Sequence, residues 1–177
     1  REDIDWENVT VTLVDERWVP DTSDRSNARL VKKTLLQGPA SAARFVPLYA
    51  GEDDPTLALI ETTNEALGDV PMPFDAVVLG MGTDGHTASF FPQADALANA
   101  LSESGPALAI RAPGAGEPRV TLTLPALLQT RTLYLHIEGE DKARVLDAAL
   151  ATGPVDTMPV RAVLAQDQIP VQLFWCP

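Results

Sequence analysis

The sequence predicts an α/β domain built on a parallel sheet, and three observations carry that expectation. Short runs rich in Val, Thr, Leu and Ile alternate with longer segments of helical period along the whole chain. One run, Phe74 to Leu79, is apolar on both faces apart from Asp75, the pattern of a strand covered on both sides. The composition, 45% hydrophobic and 21% charged over 177 residues, suits one globular domain large enough to bury a core with helices on both faces of a sheet. It excludes a disordered tail or a collagen-like repeat.

From the N-terminus, Val9 to Val14 reads as a strand closed by Asp15-Glu16. Asn27 to Gln37 reads as a helix, with Ser26 as N-cap, Leu30, Val31 and Leu35 on one side, and Gly38-Pro39 as the stop. Arg44 to Tyr49 is a short strand. Asp54 to Leu67 is a helix whose Leu57, Ile60 and Leu67 form an apolar face, ended by Gly68. After the central strand Phe74 to Leu79, Ala94 to Leu101 is a weak helix and Ser102 to Pro106 a polar loop. Leu108 to Arg111 and Arg119 to Leu124 are strands around a Pro/Gly-rich turn. Thr132 to Ile137 is a strand, Lys142 to Ala151 a helix, and Val171 to Trp175 the last strand. No internal repeat or low-complexity linker divides the chain, so residues 1–177 are expected to form a single domain.

Charge and cysteine usage narrow the function classes. The net charge of −12 repels nucleic acid and anionic membrane surfaces, so neither is an expected partner. A small anionic substrate stays possible if a few of the 13 basic residues gather locally. No apolar run approaches the roughly 20 residues of a membrane span, and the first residues lack the layout of a signal peptide. The single cysteine, Cys176, can make neither an internal disulfide nor a cysteine metal cluster, which points to a reducing cytoplasm. Its position next to Pro177, at a strand end, favours an inert thiol over a nucleophile.

In open α/β sheets ligands bind outside the carboxyl ends of strands. Two such ends carry unusual polar sequence: Asp15-Glu16-Arg17-Trp18, and the glycine loop after Leu79. Gly80-Met-Gly-Thr-Asp-Gly85 fits the dinucleotide fingerprint G-x-G-x-x-G. The residues downstream rule that reading out, because Pro92 interrupts before a long helix can form, and no strand ending in an acid arrives about 20 residues later. The loop instead gives main-chain N–H groups close access to an oxygen-rich ligand and holds His86 at the sheet edge. His86 is then either a general base acting on water or a turn histidine bonded to a carbonyl. The adjoining Asp84 and the hydroxyls of Thr87 and Ser89 tilt the balance toward chemistry.

Other candidates have bland and functional readings side by side. Ser89 lacks the nucleophile elbow and is better explained by N-capping or turn bonding. Asp15, Glu16, Asp84 and His86 could ligate a metal, although their spacing does not demand one. Arg17 is either a salt-bridge partner of its acidic neighbours or a grip on phosphate or carboxylate. Lys142 opens a helix, where the dipole already repels cations, so it is either solvated or beside an anion. Arg161 could serve similarly, and His136 reads as a satisfied structural histidine.

Asp15-Glu-Arg-Trp-Val-Pro20 with Ser26-Asn27 resembles the first signature of the 6-phosphogluconolactonase family. Leu79-Gly-Met-Gly-Thr-Asp-Gly-His-Thr-Ala-Ser-Phe-Phe-Pro92 resembles its second and more specific one. Arg119-Val-Thr-Leu-Thr-Leu-Pro125 and Gly139-Glu-Asp-Lys142 resemble later features in the right order. The related glucosamine-6-phosphate deaminases place Tyr after Asp-Glu and continue the histidine loop with Phe-Asn-Glu-Pro, so Arg17 and the Thr87–Pro92 run favour the lactonase. The resemblance implies a Rossmann-like parallel sheet flanked by helices, of the glucosamine-6-phosphate deaminase, ribose-5-phosphate isomerase and CoA-transferase type. It implies hydrolysis of 6-phospho-D-glucono-1,5-lactone in the pentose phosphate pathway, with no metal or organic cofactor. His86 would be the base, N–H groups around Gly82 to Gly85 would stabilise the oxyanion, and Gly82, Asp84 and Gly85 would be among the substrate-binding residues. Arg17, Lys142 and Arg161, helped by Asn27, would hold phosphate and sugar oxygens. A deaminase-like isomerase and a non-catalytic sugar-phosphate binder are the alternatives. Family members open with a further strand and a Ser-Gly-Gly-type phosphate loop that this sequence does not contain. Its omission from the sequence is the expectation, since losing a central strand would expose apolar edges.

Overall fold

The computed structural model describes residues 3–51 and 54–177. Its strands are β1 (Thr10–Thr12), β2 (Asp15–Arg17), β3 (Arg44–Val46), β4 (Val77–Leu79), β5 (Ala107–Ile110), β6 (Arg119–Leu122), β7 (Leu133–Glu138) and β8 (Val171–Cys176). The helices are α1 (Asn27–Thr34), α2 (Leu57–Gly68), α3 (Leu97–Ser102), α4 (Leu124–Leu128), α5 (Glu140–Leu150) and α6 (Val160–Ala165).

Parallel pairing dominates, as the alternating pattern predicts. β1 runs parallel to β3, and β4, β7 and β8 form a parallel sheet in that order. The sequence pattern does not reveal a second, antiparallel sheet in the order β2-β6-β5. The run Val9 to Val14, expected as one strand ending at Asp15, is the reason. The chain leaves β3 after Thr12 and pairs again from Asp15, now with β6. Between β1 and β4 lies an apolar cleft of about 420 Å³, walled by Val11, Leu13, Val31, Leu35, Val77 and Val78 among others.

Capping explains most helix boundaries. Ser26 accepts from Arg29 N–H at the start of α1, Thr56 from Leu59 N–H at α2, and Thr123 from Ala126 N–H at α4. α4 begins at Leu124, the last residue of the run read as strand. Pro125 in its first turn fits there because that N–H has no intrahelical partner anyway. One cluster of buried side chains, including Leu79, Phe90, Leu127, Leu133 and Leu135, joins the layers. Among the described residues no helix is long and apolar enough to cross a membrane.

Candidate active site

Strand periodicity builds the first wall. Along β2, Asp15 and Arg17 share one face and line a cleft of about 390 Å³, while Glu16 points the other way and is completely buried. That volume lies within the usual range for small-molecule sites. Glu16 accepts from the N–H groups of Arg17, Asn27 and Ala28 and from the Ser26 hydroxyl at 2.7–3.0 Å. Its charge therefore sits at the positive end of α1 and fixes β2 against that helix. This removes Glu16 from the candidate metal set with Asp15, Asp84 and His86, because its oxygens are consumed by these donors.

Asn27 orients Arg17. Its Oδ1 accepts from Arg17 Nη1 at 2.6 Å, and its Nδ2 donates to the Asp15 carbonyl at 3.0 Å. Directly across the antiparallel ladder from Arg17 stands Arg119, 6% exposed. Like charges directly opposite on a sheet repel. Burial, together with the Arg17 charge, lowers the Arg119 pKa, against the opposing pull of Asp15 and Glu117. Arg119 donates to the Ala115 carbonyl at 2.7 Å and lies over the Phe91 ring. The Nε atoms of both arginines are buried without a hydrogen-bond partner among the described residues. Such orphaned cationic donors are costly unless an anion satisfies them.

The glycine loop supplies the second wall. The Nδ1 of His86 lies 2.6 Å from Asp84 Oδ1, and the His86 N–H donates to the same oxygen at 3.1 Å. Burial works to raise the Asp84 pKa, but the hydrogen bonds and charge of His86 prevail and hold it below the ordinary value. An ionised carboxylate only accepts, so Nδ1 carries a proton, and whenever the ring is neutral the lone pair is on Nε2. The ring packs against Phe91, with centroids 4.3 Å apart. Gly82 makes this fold-back possible: a Cβ there would overlap the His86 ring and stand 2.6 Å from Asp84 Oδ1. Gly85 takes φ +78°, in the left-handed region that favours glycine, and its carbonyl accepts from Val160 N–H. Ser89, fully buried, donates to Asp15 Oδ2 at 2.6 Å and ties the glycine loop to β2. That long-range bond replaces the turn bonding expected of it.

Lys142 completes the cleft from the first turn of α5, with no hydrogen bond or ion pair to another described residue. Sequence reasoning thus gathers Arg17, Asn27, Gly82, His86 and Lys142 into one cleft. Asp84, expected among the substrate-binding residues, stands against His86 Nδ1 and does not line the cleft. Three expectations need correction. Arg161 stands elsewhere: it donates to the carbonyls of Ala148, Ala149 and Pro154, where the last carbonyls of α5 need donors. The N–H groups of Gly82 and Gly85 are spent inside the loop, on the carbonyls of His86 and Gly82, so they are not free to meet an oxyanion. His136, read as a satisfied structural histidine, is an exposed residue of β7 with Glu138 4.0 Å from its Nε2. Arg119 escapes sequence reasoning, although a charged residue opening the apolar run Val120–Leu124 is a signal.

Residues 1–175 match the family of glucosamine-6-phosphate isomerases/6-phosphogluconolactonase. A 6-phosphogluconolactonase of Mesorhizobium japonicum is 51% identical, over 98% of this chain and 73% of its own length. The crystal structure of a 6-phosphogluconolactonase from Shewanella baltica superposes with a TM-score of 0.94 at 46% identity, covering 98% of this chain and 74% of that one. A monomeric glucosamine-6-phosphate deaminase superposes with a TM-score of 0.73 at 17% identity, over 97% of this chain and 75% of that one, a likeness of fold alone.

Proposed function

The chain belongs to the glucosamine-6-phosphate isomerase/6-phosphogluconolactonase family, and within it we propose that it hydrolyses 6-phospho-D-glucono-1,5-lactone to 6-phosphogluconate. The observation that carries this reading is the pairing, in one cleft, of an Asp84-oriented imidazole with Arg17, Arg119 and Lys142. In a chain of net charge −12 such a gathering of cations needs a reason, and a phosphorylated substrate provides one.

His86 Nε2 takes a proton from a water molecule as its oxygen attacks the C1 carbonyl. The tetrahedral oxyanion forms beside the cationic wall, which stabilises it electrostatically. Collapse breaks the bond from C1 to the ring oxygen, and the imidazolium returns its proton to that oxygen. Asp84 keeps the ring in the reactive tautomer and supports its positive charge meanwhile. Arg17, held by Asn27, and Arg119 and Lys142 grip the phosphate and sugar oxygens.

The test is His86→Ala, assayed promptly because the lactone also hydrolyses spontaneously. Turnover is expected to fall by at least about 10²-fold, with the circular dichroism spectrum unchanged. Wild-type turnover in that variant sinks the assignment of His86. Release of ammonia from glucosamine 6-phosphate would move the protein to the deaminase branch, and binding of 6-phosphogluconate without any lactone turnover would make it a sugar-phosphate binder.

A further inference from the structure

Away from the cleft, among the described residues, one more group of side chains has the chemistry of a metal site. His136 and Glu138 alternate on the exposed face of β7, and Glu138 is the register partner of Cys176 on β8. Register partners in parallel strands point to the same side, so imidazole, carboxylate and thiol stand together. One ligand atom from each lies within 4.8 Å of the other two, with His136 Nε2 4.0 Å from Glu138 Oε1. None of the three lines the cleft that holds His86.

We propose that His136, Glu138 and Cys176 bind a divalent cation of the zinc class, with solvent completing the coordination. The donor set decides the class. A thiolate beside an imidazole selects borderline and soft ions, whereas calcium and magnesium take oxygen ligands. Tetrahedral zinc with ordinary bond lengths places its ligand atoms about 3.3–3.8 Å apart. The cluster must therefore close by about 1 Å, a movement within reach of exposed side chains rotating on a fixed backbone. That backbone is held by six register pairs between β7 and β8 and by the Gly139 N–H donating to the Cys176 carbonyl at 2.8 Å. Binding takes the thiol as thiolate, so each ion bound releases one proton to solvent.

The probe is Co²⁺ added to the purified protein, with Zn²⁺ then added as competitor. Because Cys176 is the single cysteine, a thiolate-to-cobalt charge-transfer band can arise at no other residue. We expect that band to saturate at one Co²⁺ per chain and to disappear on adding Zn²⁺. Saturating Zn²⁺ should also slow alkylation of Cys176. Cys176→Ser should abolish the band, and His136→Ala and Glu138→Gln should each weaken binding by about tenfold or more. Lactone turnover should be unchanged in Cys176→Ser, which separates this site from the cleft. No thiolate band at millimolar Co²⁺ overturns the proposal. So does a band of undiminished affinity in both His136→Ala and Glu138→Gln, which would mean metal held by the thiol alone.

Discussion

Replacing Gly82 with alanine tests whether the fold-back of His86 and Asp84 is what the glycine loop exists to make. Gly82 does not have the left-handed φ that Gly85 has, so the backbone itself accepts a side chain. The added Cβ would meet the His86–Asp84 pair instead, overlapping the imidazole and standing 2.6 Å from Asp84 Oδ1. Ordinary carbon contacts lie near 3.5–4.0 Å, so the carboxylate must retreat by about 1 Å and the ring by more. A misplacement of that size costs about 10²-fold in rate, or about 2.7 kcal/mol of barrier. Stability should change little. The His86 and Asp84 side chains are 31% and 49% exposed, and an ion pair that open to solvent contributes less than about 1 kcal/mol. At this chain length that is a shift of about 2–4 °C in Tm. The assay is the initial rate of lactone consumption, corrected for spontaneous hydrolysis, with Gly68→Ala as control because nothing lies within 4 Å of a Cβ there. We expect Gly82→Ala to lose kcat with KM largely kept, and Gly68→Ala to behave as wild type. Full kcat in Gly82→Ala would falsify the geometric account of the loop.

The cationic wall makes an opposite trade. Arg119→Met removes a buried like-charge pair and an orphaned donor, so Tm should hold or rise while kcat/KM falls by about 10²-fold or more. Millimolar inorganic phosphate should raise the Tm of the wild type but not of this variant. Glu16→Ala strips the N-terminus of α1 of a fully buried acceptor and should destabilise by about 3 kcal/mol, read as a shift in the urea midpoint. Asp84 gives a pH signature. Its folded pKa lies below the unfolded value of 3.8, so its contribution to stability is present above that value and is lost as pH falls through the lowered one. Asp84→Asn should therefore differ from wild type at neutral pH and converge on it in strong acid, in thermal melts across that range.

The parts legible in the sequence are those whose cause is local. The N-cap at Ser26 and the helix end at Gly68 announce themselves within a few residues, and the structure agrees with them. The stop at Gly38-Pro39 and the run Phe74 to Leu79 covered on both sides do not hold, because α1 already ends at Thr34 and Val78 of β4 is exposed. The glycine loop is legible as a distortion, and Arg17 and Lys142 as charges out of place. What stays hidden depends on partners far along the chain. Arg119 becomes a cleft residue only because β6 pairs with β2 across about a hundred residues. The break after Thr12 needs the same knowledge, since nothing between Val9 and Val14 distinguishes one strand from two. Arg161 misleads because a cation beside a helix end and a cation beside a phosphate look alike until the carbonyls are located.

Glu16 has a consequence for how this scaffold could be re-engineered. Its two carboxylate oxygens join the end of β2 to the start of α1, so the segment from Trp18 to Arg25 leaves and re-enters the fold at a clamped base. A segment anchored in that way can change length cheaply, because each doubling of a loop costs only about 0.6 kcal/mol in closure entropy. Its far end touches the cleft through the Arg25 carbonyl, which accepts from Arg17, and through the ion pair of Arg25 with Glu117. With Trp18 kept in the core, the stretch from Val19 to Asp24 is thus an interchangeable part beside the cleft: grafting longer versions offers a route to ligands with larger groups while His86, Asp84 and the cationic wall stay in place.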